Sequence, residues 1–209
     1  MRLYIKGDYT KEIPFDYIEL AKRMWFDTKD CKPVDFSYFG NTRPFKTDPT
    51  IHLKLNKWMH DNRWNNVQLK EGITNKFGSH VYENLELDFE DNPATDYREK
   101  GDCLRLASTH LDLLTVDKRA MYIMALEIAT AIDGKISEDD KKTWITSEEF
   151  KEKHKDILSL TFEEANEMSL EEIQTIDVAD DPIWEELDRK REEYIKIHGE
   201  RVYDDEEDE

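Results

Sequence analysis

Glycine and cysteine are scarce in this sequence, and each scarcity excludes classes of functional site. The 7 glycines form no G-x-G-x-x-G, G-x-x-x-x-G-K-S/T or G-x-S-x-G motif, so phosphate-binding loops and nucleophile elbows are not expected. The 2 cysteines, Cys31 and Cys103, match no metal-binding or redox spacing, and no H-E-x-x-H motif is present. We therefore expect no cofactor and no metal. Reduced thiols are favoured, with a single disulfide as the alternative.

Long apolar segments are also missing. The first residues, MRLYIKGDYTKEIPF, contain no apolar stretch typical of a secretion signal. The least charged segment, residues 120–132, is shorter than the roughly 20 residues that a membrane-spanning helix needs. We expect a cytoplasmic protein that makes no contact with a membrane. The 5 tryptophans, 9 tyrosines and 9 phenylalanines still supply enough large side chains for a folded core.

Basic residues are outnumbered, and the acidic excess grows along the chain. Residues 1–80 contain 14 basic and 10 acidic residues, residues 81–160 contain 11 and 19, and residues 161–209 contain 5 and 20. Direct nucleic-acid binding is disfavoured, because it needs clustered lysines and arginines. A basic protein partner is favoured, because complementary charge speeds encounter and discourages wrong partners. Alternatively, the acidic C-terminal region folds back onto the mildly basic first half.

The sharpest contrast in the sequence is the segment 115–133. Its part from 120 to 132 contains one charged residue, Glu127, whereas 38% of the whole sequence is charged. Apolar residues recur there at helical spacing, Thr115 suits an N-cap, and Gly134 suits the position after the last turn. The pattern predicts a central buried helix.

Alternating apolar residues elsewhere predict strands. The clearest strand covers 80–90, and a second at 103–108 is close enough in sequence to pair with it antiparallel. Further strands are expected at 2–6 and 34–39, with weaker signals at 67–69 and 72–77, a hairpin at 135–145, and helices at 13–26, 49–62, 146–157, 162–166, 170–176 and 182–198. The fold class predicted is α+β, with a mostly antiparallel sheet packed against the central helix.

Three regions are predicted along the chain. Residues 1–160 form the α+β core, residues 161–202 form an acidic helical appendage packed on it, and residues 203–209 form a disordered acidic tail. The last helix is expected to begin with Asp181 as its N-cap and Pro182 in its first turn.

One functional hypothesis is an enzyme or small-ligand site near His110, Asp112 and Glu127. His110 and Asp112 follow a strand, where functional residues are common. A metal or acid/base role needs further ligands, which only His80 or Glu127, the single carboxylate of the apolar part of the central helix, could supply. The simpler interpretation is a polar strand end and a glutamate that faces solvent or meets an internal arginine or histidine.

The leading hypothesis is a non-enzymatic acidic protein that binds or neutralises a basic protein partner. Immunity proteins of bacterial toxin systems and protein inhibitors of nucleic-acid enzymes act in this way. The expected contacts are carboxylates of the 80–90 strand and of the last helix: Glu86, Asp88, Glu90, Glu185 and Glu186. A cross-strand ion pair with Arg105 is expected to reduce the acidity of the strand. A third hypothesis is a structural protein that self-associates through the last helix.

Overall fold

A computed structural model describes residues 1–26, 35–40, 50–91 and 100–199 of the chain. Over these residues it contains seven strands in one antiparallel sheet and seven α-helices, which confirms the α+β fold. The strands are β1 (Arg2–Lys6), β2 (Phe36–Gly40), β3 (Ile51–Leu55), β4 (Leu85–Asp91), β5 (Lys100–Ser108), β6 (Lys135–Ser137) and β7 (Ile145–Thr146). The helices are α1 (Tyr17–Trp25), α2 (Lys57–His60), α3 (Thr115–Ala131), α4 (Ser147–Lys153), α5 (Lys155–Leu158), α6 (Phe162–Glu172) and α7 (Ile183–His198).

The strand order is β2-β3-β4-β5-β1-β6-β7. The predicted antiparallel pairing of β4 with β5 is confirmed, with Leu87 opposite Leu106, and the predicted hairpin is the β6–β7 pair. β1 lies between β5 and β6, and its Leu3 and Ile5 are completely buried. No helix in the described ranges is long and apolar enough to cross a membrane.

The predicted central helix is α3, which contacts β1, β6 and the four helices α1, α4, α5 and α6. Its N-cap is Leu114, which makes no side-chain cap, so the prediction of Thr115 as N-cap is wrong. The reason is that the start of α3 packs against α6 and takes its caps from there. Glu172 accepts a hydrogen bond from Thr115 N at 2.7 Å, and Ser169 Oγ accepts one from Val116 N at 2.8 Å.

The prediction of one helix over 49–62 is wrong at Ile51–Leu55 and holds only for the short helix α2. Ile51–Leu55 is a strand that pairs with β2 on one side and β4 on the other. Ile51, Leu53 and Leu55 are fully buried, and the residues between them are half-buried. The apolar residues therefore follow the two-residue period of a strand, and the helix is restricted to the short α2. The predicted helix start at 48–49 lies outside the described residues.

Other predicted boundaries also move. β4 begins at Leu85, and His80–Tyr82 before it form a 3-10 turn. No strand is formed at 67–69 or 72–77, which contain irregular backbone and another 3-10 turn. α1 begins only at Tyr17, because Asp16 and Glu19 form a capping box there.

The acidic C-terminal region contacts the basic first half of the chain. Glu167 pairs with Arg63 and Asp177 pairs with Lys70. Phe162 and Ala165 of α6 belong to the same hydrophobic core as the sheet. The division at residue 160 stays a prediction, and the predicted tail at 203–209 lies outside the described residues.

Asp181 does not cap α7, contrary to expectation. The N-cap is Pro182 and makes no side-chain hydrogen bond. Asp181 is instead buried and accepts hydrogen bonds from Arg2 Nε at 2.9 and 3.0 Å. A buried carboxylate without a cation is more costly than a helix start without a side-chain cap, because the helix N–H groups can also bond to water.

Candidate functional site

The structure does not bring His110, Asp112 and Glu127 together. His110 is buried, with 1% of its surface exposed, whereas the Asp112 side chain is exposed. Glu127 of α3 is partly exposed and pairs with the exposed Arg23 of α1. A single site formed by these three side chains is therefore not present.

His110 belongs to a different group of buried residues, which we call the histidine–glutamate cluster: His80, Glu83 and His110. His80 lies on the 3-10 turn before β4, and Glu83 follows this turn. His110 lies just beyond β5 and forms an isolated β-bridge with Asp180. At most 1% of the surface of each cluster residue is exposed. No local pattern in the sequence indicates this group, because its members come together only through the β4–β5 pairing.

Glu83 is the hydrogen-bond acceptor at the centre of the cluster. Its Oε2 lies 2.6 Å from His110 Nδ1, and its Oε1 accepts from Thr109 N at 2.7 Å and from His110 N at 3.3 Å. Burial opposes a charge on His110, but the hydrogen bond and negative charge of Glu83 outweigh it, so the pKa of His110 is raised. The pair is a buried, charge-assisted contact.

The pKa of His80 is shifted in the opposite direction to that of His110. Its ring stacks on that of His110 with centroids 4.1 Å apart, and burial, followed by His110, lowers the pKa of His80. Its Nε2 lies 2.7 Å from the carbonyl oxygen of Asp112. A carbonyl oxygen only accepts, so Nε2 carries the proton and neutral His80 keeps a lone pair on Nδ1. Among the described residues Nδ1 has no hydrogen-bond partner, which costs about 1–3 kcal/mol for a buried polar group.

A buried ion pair adjoins the cluster. Lys57 Nζ of α2 lies 2.8 Å from Asp117 Oδ2 of α3 and donates to the carbonyl oxygen of His80 at 2.8 Å. Both side chains are excluded from solvent. Burial raises the pKa of Asp117 to about 6, and Lys57 opposes that rise. The backbone at His80 is thereby held by a charged side chain from another element.

A cleft of about 340 Å³ lies beside the cluster. Its lining includes Thr109, which donates to Glu83, and Asp180, whose Oδ1 lies 3.8 Å from His110 Nε2. Arg105 also lines the cleft and is buried, with no partner for its Nε among the described residues. The cleft therefore offers both signs of charge next to the buried histidines.

Two of the predicted partner-binding carboxylates on β4 are already paired within the chain. Glu86 Oε1 lies 3.2 Å from Arg105 Nη2, which confirms the predicted cross-strand pair, although Arg105 is buried and not exposed as expected. Glu90 accepts from Lys141 Nζ at 2.6 Å. The half-buried Asp88 accepts a hydrogen bond from Phe89 N at 2.7 Å. The β4 surface is consequently less acidic than the number of carboxylates in its sequence indicates.

The last helix contributes one predicted carboxylate that is paired and one that is exposed. Glu186 lies 2.7 Å from Arg2 Nη1, and this ion pair lowers the pKa of Glu186. Glu185, one residue before it, is exposed.

The most uniformly acidic element is α6, which the sequence reasoning did not single out. It contains five glutamates and no lysine or arginine. Glu163, Glu167 and Glu171 are exposed and four residues apart, so they form one stripe on the helix surface. We call them the α6 stripe. The side chain of Met168 is exposed beside it, at 43%. A count of charges per helix is the sequence signal that indicates this surface.

Comparisons of the chain with protein-family models, with curated proteins and with solved structures find no match.

Proposed function

We propose that the chain is a non-enzymatic interaction protein that binds a basic protein partner, with the α6 stripe as a main contact. The observation that carries this proposal is the composition of α6, in which five glutamates occur without one cation. The net charge of −19 favours this class of function, and the main contact surface is on α6 and not on β4.

The α6 stripe is unfavourable for the isolated helix. Like charges four residues apart repel each other, which destabilises a helix. Glu171 also lies in the last turn, where the helix dipole disfavours a negative charge and where α6 has no basic residue. Glu167 pairs with Arg63, whereas Glu163 and Glu171 form no ion pair with a described residue. A basic partner would relieve this repulsion.

The other predicted carboxylates contribute unequally to such a contact. A partner that engages Glu86, Glu90 or Glu186 has to compete with a cation that the chain already supplies. Glu185 has no such competitor among the described residues and adds to the acidic surface, while Met168 offers apolar area for a partner's aliphatic or aromatic side chain.

A double charge reversal tests the α6 stripe. The variant Glu163→Lys/Glu171→Lys reverses both glutamates of the stripe that lack an ion pair with a described residue. The matched control, Glu148→Lys/Glu152→Lys, makes the same change of net charge on the exposed surface of α4. Each variant and the unmodified chain are tagged, used for capture from a lysate of the source cells, and compared by quantitative mass spectrometry. Binding of the captured protein is then measured by calorimetry at several salt concentrations.

We expect a basic protein to be captured by the unmodified chain and by the α4 control, with affinity reduced at least about 10-fold in the α6 variant, equivalent to about 1.4 kcal/mol. Affinity should also fall with rising salt. Equal binding by the α6 variant would remove the stripe from the interface. An equal loss in both variants would show that only net charge matters, which contradicts a defined contact surface.

A further inference from the structure

We propose that the histidine–glutamate cluster is a binding site for a divalent first-row metal ion, with Zn²⁺ as the ion to test. Each of its three residues offers one ligand atom, and these atoms all lie within 4.8 Å of one another. Imidazole nitrogen and carboxylate oxygen are ligands that Zn²⁺ accepts, and three protein ligands are the set found where the ion keeps an open position.

The strongest support is the bare Nδ1 of His80. Metal-binding histidines almost always donate their other ring N–H to a carboxylate, a water or a backbone carbonyl. His80 has this arrangement, because Nε2 donates to the carbonyl of Asp112 while Nδ1 has no partner among the described residues. The hydrogen bond to the Asp112 carbonyl fixes the tautomer of the ring, and the buried lone pair on Nδ1 lacks the hydrogen bond that would otherwise satisfy it. A bound cation would supply the missing partner.

The cluster must contract to hold one ion. With metal–ligand distances of about 2.0–2.2 Å, the ligand atoms of a tetrahedral site lie about 3.3–3.5 Å apart. The ligand atoms of the cluster lie within 4.8 Å of one another, so they have to move closer together. The stacked rings of His80 and His110 must also turn apart, because a metal ion lies close to the plane of each ring that binds it. Both histidines lie on a 3-10 turn or an isolated bridge rather than within the sheet.

Proton balance follows from the contact between Glu83 and His110. The proton that bridges Oε2 and Nδ1 in the metal-free protein is displaced when both atoms bind the ion, and it leaves to solvent. Glu83 then supplies a negative charge to the ion, while Asp117 stays paired with Lys57. Asp180, on the lining of the cleft, lies 3.8 Å from His110 Nε2, which is not the ring nitrogen proposed to bind the ion.

A second group of possible ligands is less suited to the same ion. Glu90, Asp102 and Cys103 also offer atoms within 4.8 Å of one another. Glu90 is already bound by Lys141 Nζ at 2.6 Å. Burial, together with Glu90, raises the pKa of the Cys103 thiol to about 12, whereas a metal needs the thiolate. This group serves as an internal competitor that the experiment has to distinguish.

The test titrates metal-free full-length protein with Zn²⁺ and, separately, with Co²⁺. His80→Gln is the decisive variant, because the glutamine amide can still donate to the Asp112 carbonyl, whereas its amide oxygen is a poorer ligand for Zn²⁺ than an imidazole nitrogen. His198→Gln is the matched control on an exposed position of α7. Circular dichroism checks that each variant is folded, and Glu83→Gln is a second ligand variant if His80→Gln is not.

We expect one Zn²⁺ per chain, with affinity reduced at least about 10-fold by His80→Gln, since even the loss of an outer hydrogen-bond partner costs 10–100-fold. His198→Gln should bind as the unmodified protein does. The Co²⁺ complex should show visible bands without thiolate-to-metal charge transfer. Absence of binding, unchanged binding in folded His80→Gln or Glu83→Gln, or a thiolate charge-transfer band from Cys103 would each overturn the proposal. None of these outcomes bears on the α6 stripe.

Discussion

Replacing Lys57 with methionine is expected to lower the free energy of unfolding by about 3–5 kcal/mol, as the removal of one partner of a buried ion pair does. Lys57 Nζ lies 2.8 Å from Asp117 Oδ2 and is excluded from solvent. Methionine fills a similar volume but leaves the Asp117 carboxylate without its cation and the His80 carbonyl without its donor. Urea unfolding of the variant and the unmodified protein measures the difference.

The double variant Lys57→Met/Asp117→Leu is the control for packing. It should recover most of the loss, because a buried ion pair can often be replaced by apolar side chains at little cost. If the double variant is no more stable than Lys57→Met, the loss comes from packing or from the His80 carbonyl and not from an unpaired charge.

The loss in Lys57→Met should depend on pH. Because the pKa of Asp117 is raised to about 6 in the folded protein, the neutral carboxyl is favoured by folding. Its stabilising contribution is complete below the ordinary pKa of aspartate and disappears as the pH rises through the folded value. A protonated Asp117 needs no cation, so the variant should lose less stability at about pH 5 than at about pH 8. An equal loss at both pH values would contradict this account.

Glu172→Ala is expected to lower the free energy of unfolding by about 1.5–3 kcal/mol, the range for hydrogen bonds to a charged group. Its carboxylate accepts from Thr115 N at 2.7 Å and from Thr115 Oγ1 at 2.5 Å, and it lies at the positive end of the α3 dipole. The variant leaves Thr115 N and Thr115 Oγ1 without their acceptor, at a helix start where Leu114 provides no side-chain cap. Urea unfolding again provides the measurement.

Glu171→Ala is the matched control for this substitution, because it removes the neighbouring glutamate from the same helix. Glu171 is exposed, so its loss should change stability by less than about 0.5 kcal/mol. Equal effects at the two positions would show that the loss reflects helix α6 itself and not the cap on α3.

Local patterns were sufficient to predict much of the fold. α3, the β4–β5 pair and the β6–β7 hairpin were predicted because apolar spacing and nearby pairing partners are visible within a short window. The segment at Ile51–Leu55 shows the limit of that reasoning. Its apolar residues fit one turn of a helix and also the alternation of a strand, and only pairing with β2 and β4 decides between them.

The candidate sites depend on contacts between distant residues, which a single sequence does not reveal. Glu127 meets Arg23 across 104 residues, and His110 meets Glu83 across 27. The sequence hypothesis grouped His110 with Asp112 and Glu127 and gave His80 as an alternative ligand. Glu83 has no distinctive neighbourhood in the sequence, so nothing there indicates that it meets both histidines. Charge counts had the same limit, since they could not show that Lys141 and Arg2 already pair with predicted contacts.

The position of β1 between β5 and β6 has a consequence for how the chain is made. Leu3 pairs with Leu106 and Ile5 with Ile136. During synthesis, β1 can therefore pair only after about 100 further residues have been made. At translation rates of about 5–20 residues per second, that interval lasts roughly 5–20 s. Contacts between residues so far apart in sequence also slow folding, because the entropy of closing the loop is lost before the contact is gained. The nascent chain therefore contains an unpaired apolar strand, which is prone to aggregation, until β5 and β6 have been synthesised and can pair with it.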